Sequence, residues 1–260
     1  MRSPMIIDWT VQTIIRFPWR RIDFEFENRS FRYIQQSREL ASILRTHSDG
    51  SFEDENKAFQ SISRVLSGLC WSLNVPVFSD LHGGCGADNP KSYMKRRKPT
   101  VASKAKLLQN YHVFSFSLPI VENNKAWKAL SYYREAFSAN SKFHEAISFY
   151  KAIEVAFSKK NERKRWIYNN YDKFVSKNDN IYLSILKDPK KFFAEDVGHH
   201  AVAHQMWNPD KLPDYTLGHI AARILKDLAT KAIRNELGVN RDNKIRWSSI
   251  TLPKSFRKRK

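Results

Sequence analysis

Apolar and charged positions alternate over Ile22-Asp23-Phe24-Glu25-Phe26-Glu27, the period of a half-buried β-strand. Pro18 breaks any helix ahead of it, and residues 9–17 are read as a partner strand. The period changes after Phe52. Phe59, Ile62, Leu66, Leu69 and Leu73 recur at three- and four-residue steps, which predicts an amphipathic helix over 52–73 that Asn74 and Pro76 end. Residues 79–106, with their Gly-rich run His82–Pro90, read as a long loop. His112–Ile120 alternates again, with Pro119 marking a strand end or edge.

From Ala126 the texture is helical. Trp127, Leu130, Arg134 and Phe137 form one stripe. Asn140 or Ser141 caps a second helix, in which Phe143, Ile147, Tyr150, Glu154 and Phe157 share a face. The charged run Lys159–Arg165 reads as a connector, and short helices follow around Ile167–Phe174 and Ile181–Leu186. Pro189 suits the first turn of a helix running through Phe193, Val197, Ala201 and His204. The clearest helix carries Leu217, Ile220, Ile224, Leu228, Ala232 and Ile233, with Gly238 just past its end. The fold class is therefore mainly α. An N-terminal α+β domain over 1–120 precedes a helical domain over 126–240 and a basic tail over 241–260.

Composition narrows the partners. With 42% apolar residues in 260, the chain has material for a packed core. Lys and Arg number 45 against 26 Asp and Glu, a formal net charge of +19. That excess attracts polyanions. It is uneven: 18 basic and 12 acidic residues lie up to Lys125, and 27 and 14 beyond it. Two cysteines, Cys70 and Cys85, make neither a disulfide framework nor a CxxC zinc pair, which fits a reducing cytoplasm. No apolar run is long enough to span a bilayer, so no membrane partner is expected. No GxxxxGK[ST] phosphate loop and no GxSxG elbow occurs.

The chemistry concentrates in Asp196–His204. His200 and His204 stand at i and i+4 on one helix face, and His199 points about 140° from His204. Three readings stay open. A His pair at this spacing can bind a metal, but HExxH is absent and no third ligand is evident, so no metal or other cofactor is assigned. Histidine is also a general acid or base near neutral pH. Last, the three side chains can simply fill polar gaps between helices.

The stretch His199-His-Ala-Val-Ala-His204, then Trp207-Asn-Pro-Asp210 and a long amphipathic helix, resembles the C-terminal part of the HEPN superfamily. It is most similar to the MauJ-like and ApeA-like branches. Ala129-Leu-Ser-Tyr-Tyr-Arg-Glu-Ala136 and Phe149-Tyr-Lys-Ala-Ile-Glu154 resemble the paired first helices of those proteins. The resemblance covers roughly residues 126–238. It implies a HEPN-like helical bundle, dimerisation and a metal-independent endoribonuclease of phage defence, toxin or stress systems. His204 matches the hallmark histidine of the family and would act as general acid/base. His199 or His200 would stabilise the phosphorane, and Glu154 would have a structural or supporting role.

The family pattern has Arg where this chain has His199. Arg is a permanent, fork-shaped cation, and His is neither. Three consequences are open: pH-dependent activity through His199, a charge supplied by another residue such as Arg163 or Arg223, or binding without cleavage. The last is the alternative function, a catalytically inactive sensor or interaction module that takes nucleic acid, nucleotide or a protein partner. Candidate phosphate contacts are Lys95, Arg96, Arg97 and Lys98, then Lys159, Lys160, Arg163, Lys164 and Arg165, and the tail Arg257–Lys260. RNA and a second copy of the chain are the expected partners.

Overall fold

The computed structural model describes residues 5–13, 21–35, 42–79, 84–87, 118–184, 186–197 and 215–240. The chain divides into two compact units, one within 1–119 and the other within 120–243. The first pairs a sheet with one helix and the second is helical, so the protein is mainly α with an N-terminal α+β part.

The first unit is an antiparallel sheet built around a long central strand, β1 (Met5–Thr13). Beside it run β4 (Ser42–Ser48), β3 (Arg29–Ile34) and β2 (Arg21–Phe26), in the order β2-β3-β4-β1. On the far side of β1, two short strands divide its length. β5 (Val77–Ser79) pairs with Val11–Thr13, and β6 (Gly84–Ala87) pairs with Met5–Asp8. β6 corrects the expectation that 79–106 is loop throughout: backbone pairing to β1 holds four residues of the Gly-rich run in a strand.

One face of the sheet is apolar. Ile22, Phe24, Phe26, Phe31, Tyr33, Leu44, Ile7 and Val11 are buried on it. Helix α1 (Phe52–Leu73) covers that face, burying Ala58, Ile62, Val65, Leu66 and Leu69. Trp9 meets Phe59 edge-on at 5.5 Å between ring centroids. The helix begins where Ser51 Oγ accepts from the Asp54 amide at 3.2 Å, with Glu53, Asp54 and Glu55 in the positive first turn. It stops at Asn74, which takes the left-handed conformation at φ 52°. The opposite face carries a charged rung across four strands, Asp23–Arg32–Arg45–Asp8. Arg45 forks onto Asp8 with two contacts of 2.6 Å, and Arg32 Nε donates to Asp23 at 2.7 Å.

In the second unit α2 (Asn124–Ser138) and α3 (Lys142–Ala156) form a hairpin, and the long α7 (Tyr215–Asn235) packs on both. Asn123 and Ser141 are the N-caps. Tyr133 sits at the centre, edge-on to Phe137 at 5.5 Å and to Phe149 at 5.2 Å, with its hydroxyl 3.2 Å from Thr230 Oγ1. α7 approaches α3 closely at Gly218, where a Cβ would stand 2.9 Å from the Phe143 ring. Between them run α4 (Lys160–Asn170), a 3-10 turn (Tyr171–Phe174), α5 (Lys177–Leu183), the single turn α6 (Pro189–Lys191) and a π-turn (Phe192–Asp196). Pro189 does start its turn, with Asp188 as cap.

The run Lys159–Arg165 is not a connector. All but its first residue belong to α4, whose inner face buries Ile167 and Asn170. Among the described residues, no helix is long and apolar enough to cross a membrane.

Candidate functional site

His199, His200 and His204 lie outside the described residues, as do Lys95, Arg96, Arg97, Lys98 and the basic tail. The structure does describe the scaffold that leads into the histidine segment. That scaffold is the π-turn Phe192–Asp196, ending at Val197, whose amide reaches back five residues to the Phe192 carbonyl at 3.0 Å. A π-turn adds one residue to the helical repeat. Phe193 and Ala194 anchor it in the core, and the Phe193 ring meets that of Tyr171 at 5.1 Å.

A polar relay ties this turn to the helical hairpin. The buried Tyr150 of α3 donates its hydroxyl proton to the Ala194 carbonyl at 2.8 Å. The same oxygen accepts from Arg163 Nε at 3.1 Å, and the guanidinium also lies over the Tyr150 ring, 5.4 Å from its centroid. Arg163 Nη2 completes the relay with an ion pair to Glu154 Oε1 at 3.0 Å. The Arg163 side chain is 11% exposed, so this charge is largely withdrawn from water. Burial pushes the Tyr150 phenol up from its ordinary value, although the Arg163 charge opposes it. The phenol therefore stays protonated, as its bond to Ala194 requires.

Its neighbour Lys164 faces the other way. Lys164 Nζ lies 2.9 Å from Glu195 Oε1, on the π-turn itself. That hydrogen bond holds the Glu195 carboxyl below its usual range, and the charges of Lys191 and Lys160 add to the effect. Lys159 pairs with Glu162 at 3.3 Å and stays well exposed, and Arg165 is exposed. Arg223, the second candidate cation, is committed elsewhere. It binds the Phe174 carbonyl at 3.1 Å and the carboxylate of Asp179, which belongs to the Ser176 capping box of α5.

Of the residues singled out from sequence, Glu154 of α3 and Arg163 of α4 are thus brought together, and Lys160 and Lys164 share α4 with Arg163. Tyr150, Lys191 and Glu195 were missed. Tyr150 looks like any core aromatic at helical spacing, and only the fold puts its hydroxyl beside Ala194, 44 positions away. No group of three or more His, Cys, Asp or Glu side chains among the described residues is placed to hold a metal ion.

Residues 129–247 match the family model described as methylamine utilization protein MauJ. That span contains most of α2, all of α3–α7 and the histidine segment. No curated protein and no solved structure matches the chain.

Proposed function

We propose that residues 126–240 are a HEPN-like domain that binds RNA and cleaves it without metal, with His204 as general acid/base. The observation that carries this reading is the family match across 129–247, which joins the paired helices and the histidine segment in one unit. An RNA 2′-hydroxyl is an internal nucleophile, so the protein need supply only proton transfer and charge stabilisation. His199 or His200, within six positions of His204 in the sequence, would serve the second task. Arg163 lends support from the scaffold, since its hydrogen-bonded partner Tyr150 holds the turn that precedes the histidines. Lys159, Lys160, Lys164 and Arg165, with Lys95–Lys98 and the basic tail, would meet the phosphate backbone. The remaining expectations are an N-terminal α+β domain over 1–120, a working homodimer and a place in defence or stress response; the last rests on family analogy alone.

His199, standing where the family pattern has Arg, favours a second reading in which the domain binds without cutting. One experiment separates the two. Purified protein is incubated with single-stranded RNA in EDTA, alongside His204→Ala. Cleavage by the wild type that falls about a hundredfold or more in the variant supports the enzyme. Unchanged cleavage by His204→Ala overturns the role given to that residue. Absence of cleavage together with salt-sensitive RNA binding selects the second reading.

A further inference from the structure

α4 packs against the α6 turn and the π-turn. Lys160 and Lys164, four residues apart, share the face of α4 that looks toward them. The exposed Lys191, four residues before Glu195 in the chain, also acts on the Glu195 carboxylate. Glu195 is bonded to Lys164 at 2.9 Å and stands among three ammonium groups. Close by, Lys159 pairs with Glu162, Arg163 with Glu154, and Lys190 with Asp172 at 2.6 Å, while the Asp188 carboxylate caps the Lys191 amide at 3.0 Å. Lys160 and Lys191 have no ion pair of their own among the described residues. Three ammonium groups act on the Glu195 carboxylate, and even with Asp188 at the Lys191 amide the cluster keeps an excess of positive charge, which suits a phosphate.

We propose that Lys160, Lys164 and Lys191 form a phosphate-binding site that Glu195 fills in the free protein as an internal stand-in for the ligand. A phosphodiester entering the site displaces the Glu195 carboxylate from Lys164. The displaced residue belongs to the π-turn, so occupancy of the site is felt at the start of the histidine segment. Only the identity of the ligand as RNA rests on the function proposed above; the site itself does not.

The test compares wild type with Glu195→Gln, which has the same shape without the charge, and Glu195→Asp, which keeps the charge. The probes are a labelled 12-nucleotide single-stranded RNA and inorganic tripolyphosphate. Removing the competing carboxylate should tighten binding at least threefold. Its RNA affinity should also fall more steeply with salt, the slope growing by about 0.7 for one further phosphate contact. Glu195→Asp should stay within twofold of wild type, and Lys191→Gln should weaken binding and flatten the slope. The proposal is overturned if Glu195→Gln leaves both affinities unchanged, or if Asp tightens binding as much as Gln does. Tripolyphosphate that responds to Glu195→Gln while RNA never binds keeps the site and rejects RNA. RNA that binds equally to both proteins keeps the RNA reading and rejects the site.

Discussion

Arg163→Met separates the relay from the basic surface around it. Methionine retains most of the apolar stem and removes the guanidinium, so packing against α3 is nearly conserved. Three interactions are lost. The bond to the Tyr150 hydroxyl is charge-assisted and half-buried, worth about 1.5 kcal/mol at the low end of its class. The guanidinium over the Tyr150 ring contributes about 1 kcal/mol. The pair with Glu154 adds only about 0.5 kcal/mol, because the Glu154 side chain is 41% exposed and its charge stays hydrated after the change. Together the loss is about 3 kcal/mol.

That loss is local, and hydrogen exchange of the full-length chain reads it where it occurs. Amides in α3 and α4 should lose about a hundredfold in protection, since each 1.4 kcal/mol is a factor of ten. Peptides over 189–197 should lose protection too, because Tyr150 then holds the Ala194 carbonyl without support. Tyr150→Phe should loosen the same peptides. Combined with Arg163→Met it should cost less than the sum of the two, with a coupling of about 1 kcal/mol. If Arg163→Met alters protection by less than threefold, or the two changes are additive, the relay does not hold the turn.

Two further predictions concern ionisation. Asp54 accepts from Arg29 and from the Asp49 amide, and the Arg29 bond is the main reason its carboxyl drops from 3.8 to about 2. A depressed folded value means stability that is complete above the unfolded value and lost as pH falls from about 3.8 toward 2. Discounted for solvent screening at a part-exposed pair, this is about 1 kcal/mol. Asp54→Asn should lose it at pH 7 and flatten the acid limb of the urea midpoint in the first unit; an unchanged limb refutes the assignment. Burial raises the Tyr171 phenol to about 12, and its oxygen has no hydrogen-bond partner among the described residues. A raised value gives stability that is complete below pH 10 and lost as pH rises from 10 toward 12. Tyr171→Phe should remove that alkaline loss and raise stability at pH 7 by about 1 kcal/mol, because an unmet hydroxyl no longer has to be buried. A fall in stability at pH 7 would show that the hydroxyl is bonded.

Elements whose apolar residues follow a clean period were legible in the sequence. α1 is bounded by Phe52 and Leu73 as the stripe predicts, and α7 carries all six residues of its stripe. β4 was not legible. The buried side of β4 holds Ser42, Thr46 and Ser48, while Ile43 lies on the other side, so hydropathy does not alternate. Thr46 is tolerated there because its hydroxyl donates to the Ser30 carbonyl at 2.8 Å. The β2–β3 hairpin turns through Glu27 and Asn28, at φ 50° and 59°, without the Asn-Gly signal such a turn usually shows. Glu27 is fixed by Arg64 at 2.6 Å and Ser61 at 3.2 Å on α1, partners more than 30 residues away.

The same distinction decides how the basic run of α4 should be understood. Read along the chain, Lys159–Arg165 is a run of five basic residues interrupted by Asn161 and Glu162, with no apolar period to declare a helix. In the fold, successive residues of a helix diverge by about 100°, and that angle divides the block into separate tasks. Arg163 turns inward to Tyr150 and Glu154, where its charge is consumed in holding structure. Lys164 turns to Glu195, and Lys160 follows it one turn earlier on the same face. Trp166 anchors the far end, 5.0 Å from the Phe157 ring and bonded to Glu236 at 3.2 Å. A count of basic residues assigns all of them to one polyanion. Their partners assign Arg163 to the scaffold and leave the lysines and the exposed Arg165 as the part of the run open to a phosphate. The histidines were visible in the sequence because their chemistry is local to six positions. The relay that ties Tyr150 and Arg163 to the turn before them was not, because it is assembled from helices that meet only after folding.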